Sequence, residues 1–186
     1  MAFSSLSLEK ALNTLVYVVE RMGQPGYLKA FKTIYFAEQE HLVNYGLSLM
    51  GEDHFIKMEK GPVPSMMYDF VKIVDGRQTG YRYPAEFVTK VKASLAYPGR
   101  RHAQAKVSAD LDYIAESAQQ ALLASIERYR DTSPDELSKL SHDSAWDKAQ
   151  NNRPIDPVDI AEAGGATREE LEYLRDSLSD NLFAAA

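Results

Sequence analysis

The chain has 186 residues, 45% of them apolar, enough for one compact domain and too few for a two-domain enzyme. Lys and Arg total 21 against 27 Asp and Glu, a formal charge of −6, which disfavours a surface built mainly to neutralise nucleic-acid phosphates. The absence of cysteine excludes disulfides, thiol nucleophiles and Cys-ligated zinc or iron–sulfur clusters. The stretch from Met1 to Lys10 lacks the cationic and long apolar regions of an export signal, and no apolar run approaches the roughly 18 residues of a membrane span. A soluble cytoplasmic protein with no membrane partner is expected.

After Ser7, the residues Leu8, Ala11, Leu12, Leu15, Val16 and Val19 recur at helical spacing and predict a first helix over about 7–22. Gly23-Gln24-Pro25-Gly26 interrupts it, and Leu28, Phe31, Ile34, Tyr35 and Leu42 predict a second helix that ends at Gly46, giving a helical hairpin. His54 to Glu59 alternate polar and apolar, the pattern of a short half-buried strand, and Gly61-Pro62-Val63-Pro64 ends it. Ser65 can cap a third helix carrying Met66, Met67, Phe70, Val71 and Val74, closed by Asp75-Gly76. In 77–107 the β-formers Tyr81, Tyr83, Phe87, Val88 and Val91 and the turn Pro98-Gly99 predict one or two small strands.

From Asp110 a helical face of about twenty residues runs through Leu111, Ile114, Ala118, Leu122 and Ile126. Ser133-Pro134-Asp135-Glu136 combines an N-cap serine, a first-turn proline and a capping-box glutamate, and predicts a short helix to about Leu140. Another short helix holds Trp146 and Ala149, Pro157 can begin one further turn, and Thr167 with Glu170 forms a capping box before a last helix to about Leu182. The expected architecture is α+β, predominantly α: six to seven helices with a small antiparallel sheet from 53–59 and parts of 81–97. Gly164-Gly165 divides it into a domain over 1–163 and a C-terminal helix over 164–186, accessory or partner-binding.

Chemical motifs are sparse. There is no phosphate-cradling loop, and His41, His54, His102 and His142 show no metal-ligand spacing. Glu38 and His41, three apart, are a geometrically possible metal pair, weighed against a solvated helix face. Ser138, Ser141 and Ser144 surround His142 and Asp143, but adjacent residues cannot build a nucleophile–base–orienter triad. A capping role for His142, its ring nitrogens bonded to nearby backbone, is the simpler expectation. No catalytic residue, metal or cofactor is expected. Arg100, Arg101 and Lys106 form the one local basic cluster and can contact an acidic patch or RNA backbone on a partner, or simply be solvated. Met50, Met58, Met66 and Met67 suit either a core or an adaptable binding surface.

Read in order, Lys32-Thr33-Ile34-Tyr35-Phe36-Ala37, Tyr45-Gly46, Gly51-Glu52-Asp53-His54-Phe55-Ile56 and Lys60-Gly61-Pro62-Val63-Pro64 resemble the Panacea domain, the SocA-like antitoxin family. Glu136-Leu137-Ser138-Lys139-Leu140-Ser141-His142 with Trp146-Asp147-Lys148-Ala149 is similar to that family's second signature, with Ser141 where threonine is commoner. The resemblance spans about 10–163. It implies a non-enzymatic antitoxin, bacterial or prophage-borne, that binds a cognate toxin and either sequesters it or delivers it to a ClpXP-type protease. The matching positions Tyr35, Gly51, Gly61, Pro62, Val63, Pro64, Leu137, Ser138, His142 and Trp146 are then either architectural or partner-binding. A stiff Gly-Pro-Val-Pro turn, with Tyr35 and Trp146 as anchors needing polar partners, favours architecture. The rivals are an interaction or proteolytic adaptor without a toxin and, further off, a hydrolase around His142. Nucleic acid is an unexpected partner, and the oligomeric state is not readable.

Overall fold

The computed structural model describes residues 3–77, 82–100 and 102–184, giving only the backbone for Arg100 and 179–184. Among the described residues the elements run α1 Ser5–Met22, α2 Tyr27–Tyr45, β1 Phe55–Met58, β2 Gly61–Pro64, α3 Ser65–Val74, α4 Ala85–Ser94, β3 Leu95–Ala96 and β4 Gln104–Ala105. They continue with α5 Glu116–Arg128, α6 Pro134–Leu140, α7 Ser144–Lys148, α8 Pro157–Ala163 and α9 Arg168–Ala184. The fold is predominantly α with two small antiparallel pairs, β1 with β2 and β3 with β4. No described helix is long and apolar enough to cross a membrane.

Helix α2 is the axis of the molecule. It packs against α1, α5, α6, α8 and β2, and Ala30, Ile34, Tyr35 and Ala37 have no exposed surface. A helix enclosed on most sides loses the polar outer face of an ordinary surface helix, which is why Lys32, Thr33, Glu38 and His41 lie inside beside the apolar residues. Each fully buried large apolar side chain contributes about 2 kcal/mol, so a fully buried lysine must have a specific partner.

Local signals fix the helix ends. Ser4 caps α1, its hydroxyl accepting from Ser7 N–H at 3.2 Å. Gly46 ends α2 with a left-handed φ of +62°, its N–H donating to Leu42 O. The Ser133–Glu136 capping box opens α6, the Thr167–Glu170 pair opens α9, and Asp156 with Pro157 starts a seven-residue α8.

Three segments differ from their sequence patterns. Gly61-Pro62-Val63-Pro64 is itself a strand, pairing with β1 in the register Phe55↔Pro64, Ile56↔Val63, Lys57↔Pro62. Two prolines are tolerated because Ser65 N–H donates to His54 O, so odd-numbered N–H groups face β1 and the prolines' missing donors fall on the other edge. The β-formers Phe87, Val88 and Val91 lie in helix α4, where Phe87 and Val91, four apart, are buried and Phe87 meets the Phe70 ring edge-to-face at 5.4 Å. Packing there overrides propensity. Tyr81 lies outside the described residues. The long helix expected from Asp110 is a 3-10 turn over Leu111–Tyr113, an extended Ile114-Ala115 step, and then α5.

Candidate functional site

The family-like motif residues converge on the β1–β2 hairpin and form a clasp around it. From α2, Lys32 donates from Nζ to Pro62 O at 2.6 Å. Burial drives the Lys32 ammonium down to about 7, partly opposed by the Asp143 carboxylate. Gly61 has φ of +93°, and a Cβ there would lie 2.5 Å from Ser141 Oγ and 2.7 Å from Lys32 Nζ, so only glycine fits. Ser138 Oγ donates to Lys60 O at 2.8 Å, Ser141 Oγ to Ser138 O at 2.9 Å, and Trp146 Nε1 to Met58 O at 3.0 Å. Segment 152–155 continues the sheet on the far edge of β1, with Ile155 N–H donating to Phe55 O and Lys57 N–H to Arg153 O.

Asp143 ties α2 to α7. Its carboxylate caps α7 through the N–H groups of Ala145 and Trp146, both at 3.1 Å. It also accepts from Tyr35 Oη at 2.9 Å and Gln39 Nε2 at 2.8 Å. Burial and that carboxylate push the Tyr35 phenol well above its ordinary range. The His142 ring stacks on Trp146 at 4.0 Å, and Lys57 Nζ sits 4.0 Å from the Trp146 ring. The His142 ring thus stacks at the α6–α7 junction, and its buried Nε2 has no partner, so the expected backbone bonds of both ring nitrogens are not made. Ser138 and Ser141 give their hydroxyl protons to the carbonyls of Lys60 and Ser138.

The other candidates lie apart from the clasp. Leu137 is fully buried on α6. Gly51 lies beside the Lys10 side chain in the loop between α2 and β1. Neither half of the Glu38–His41 pair is a solvated helix face: Glu38 accepts from Leu49 N–H at 2.9 Å, and His41 meets Leu47 O through Nδ1 and Ser117 Oγ through Nε2. No cluster of three His, Asp or Glu able to hold a metal occurs among the described residues. Met50, Met66 and Met67 are core. Of the basic cluster, Lys106 donates to Lys92 O at 3.0 Å at the end of α4, whereas Arg101 and the side chain of Arg100 lie outside the described residues.

On the other side of the hairpin is an open cleft of about 350 Å³ whose lining includes Tyr27, Phe31, Met58, Val63, Tyr68 and Tyr97. Sequence reading held a partner-contacting groove around the motif residues only as an alternative and did not place this cleft, and it missed the roles of Lys32, Gln39, Lys57 and Asp143. Lys32, Tyr35 and Gln39 lie at i, i+3 and i+7 on one face of α2, and that polar stripe inside an apolar helix is the signal that could have found the clasp.

The family model described as antitoxin SocA-like, Panacea domain, matches residues 31–147, well over half of the chain. The match contains the hairpin, the clasp residues of α2, α6 and α7, and most of the cleft; it is narrower than the 10–163 span of the sequence resemblance. No curated protein and no solved structure matches the chain. The chain belongs to the SocA-like antitoxin family of Panacea domains.

Proposed function

We propose that this chain is the antitoxin of a bacterial or prophage toxin–antitoxin pair and neutralises a cognate toxin by direct protein binding. The observation that carries this reading is the family match over residues 31–147. The clasp suits a binding protein, because its hydroxyl, amide and carboxylate groups are engaged with one another and serve to hold the hairpin in place. In this reading, Arg100, Arg101 and Lys106 contact the partner, and the segment over 164–186 is an accessory element. Its Leu171 and Leu174 are buried, while Tyr173 remains largely exposed.

The test is co-expression of the chain with each immediately flanking open reading frame, scoring growth and then co-purification. Rescue from one toxic neighbour with a stoichiometric complex is the expected result. Failure to rescue across all flanking genes overturns the reading. A pulse-chase of the toxin in the same strains separates the two routes. A toxin whose level is unchanged is neutralised by occupancy, and one that disappears only when the protease is intact is being delivered to it.

A further inference from the structure

The cleft beside the hairpin does not end at Tyr97. Tyr97 also borders a second hollow of about 480 Å³ lined by Ile73, Leu95, Pro98, Lys92 and Lys106, so the two hollows adjoin at this residue and together make the groove. Its aromatic wall is already packed: Tyr27 lies 5.9 Å from Phe31 and 4.6 Å from Tyr97, and Phe31 lies 6.3 Å from Tyr68. A side chain entering the groove would meet rings that lose little further freedom, which lowers the entropic cost of binding. Among the described residues, the charged side chains lining the groove are Lys60, Arg77, Lys92 and Lys106 with the acid Glu59, and Asp75 behind Arg77 also acts on the Tyr27 phenol. The chain as a whole carries −6. The groove is thus cationic on an anionic protein, and its field selects for the opposite sign.

We propose that this groove docks a segment of the partner toxin in which an aromatic or aliphatic side chain is flanked by Asp or Glu; the proposal rests on the antitoxin reading and names the surface by which it acts. The apolar anchor displaces water from the ring-lined floor between Phe31 and Tyr97. The flanking carboxylates meet Lys60 at the hairpin tip and Lys92 and Lys106 at the far end. All three lysines are exposed, so the pairs form with little desolvation. Arg77 contributes less, because it is already bound to Asp75 at 3.0 Å.

The test selects random displayed peptides on the immobilised full chain and measures their binding to Lys60→Glu/Lys92→Glu, with Arg128→Glu/Arg130→Glu on α5 and the residues after it as a charge-matched control. Selected peptides should carry Asp or Glu around an apolar residue and bind the groove variant about tenfold or more weakly. They should bind the control as they bind the unaltered chain, with Tm changed by no more than about 2 °C in either variant. The toxin found by growth rescue should lose affinity in the same pattern, and the salt dependence of its binding should diminish. Peptides without acidic enrichment, or equal binding to the groove variant, overturn the groove even where rescue succeeds. Acidic peptides that obey the pattern while no flanking product is rescued overturn the antitoxin reading and leave the docking surface standing.

Discussion

Along β1 the side chains alternate between two surroundings that differ in what they ask of a residue. Phe55 and Lys57 go to the clasp, against Tyr35 at 5.1 Å and the Trp146 ring at 4.0 Å. Met58 lines the groove, as does Val63 from the paired strand. On the clasp side, Lys32, Ser138, Ser141 and Asp143 have their polar groups satisfied inside the molecule, so a substitution there acts on stability. On the groove side, Lys60, Lys92 and Lys106 stand at an exposed rim, where substitutions leave the fold nearly untouched. The two sides meet in the hairpin: by fixing Gly61 to Pro64, the clasp holds one wall of the groove. Residues that mark the family and residues that meet a partner are therefore, in our account, largely different residues.

The comparison breaks most visibly at Gly61. Gly61→Ala should destabilise the chain by about 3 kcal/mol, combining positive-φ strain with overlap on Ser141 and Lys32. Urea unfolding measures this, and a loss below about 1 kcal/mol would remove the clasp as an organising contact. Asp143→Ala should cost about 2 kcal/mol, because the α7 cap and the partners of Tyr35 and Gln39 go together. Asp143→Asn, which retains an acceptor, should cost less, and equal losses in the two variants would show that the caps and bonds are not what matters.

Titration of buried groups sharpens the same contrast. Unfolded Lys32 holds its proton more firmly than buried Lys32 between about 7 and its ordinary 10.5, so stability should rise with pH through that window. Burial raises Glu38 and Asp53 to about 7 from 4.5 and 3.8, against the backbone N–H groups that Leu49 gives Glu38 and that His54, Met66 and Met67 give Asp53. These two bind protons more tightly when folded, so stability should fall as pH climbs from about 4 to 7. A stability minimum near neutral pH follows, and Lys32→Met should flatten the alkaline limb alone. Thermal unfolding across pH 4–10 reads both limbs, and an unchanged alkaline limb in the variant would contradict the assignment.

His142→Phe keeps a ring against Trp146 and removes the unpartnered Nε2. Stability should stay within about 1 kcal/mol of the unaltered chain. A larger loss would reveal a partner for that nitrogen. The rim variant Lys60→Glu/Lys92→Glu should change stability least, within about 0.5 kcal/mol.

Much of the helical framework was legible because its signals are local. The capping boxes at Ser133–Glu136 and Thr167–Glu170 and the glycine after Tyr45 are each complete within a few residues. The α4 helix was hidden because Phe87, Val88 and Val91 favour strands in isolation, and tertiary packing, such as that of Phe87 against Phe70, overrides that preference. Strand β2 was hidden by prolines that read as a terminator until the edge they face is known. The ordered motifs marked the family, and Tyr35 and Trp146 were legible as anchors. Their partners were not, because Tyr35 and Asp143 are 108 residues apart and nothing in either segment points to the other. The groove was less legible still, since Tyr27, Tyr68 and Tyr97 come from three separate segments and share only a place in space.

The most direct test of direct-binding neutralisation is calorimetric titration of the purified toxic neighbour with the purified chain, with no protease or nucleotide present. Saturable binding at a fixed stoichiometry, weakened by Lys60→Glu/Lys92→Glu and unaffected by Arg128→Glu/Arg130→Glu, is the expected result. Growth rescue in cells with no heat of binding between the purified proteins would contradict it.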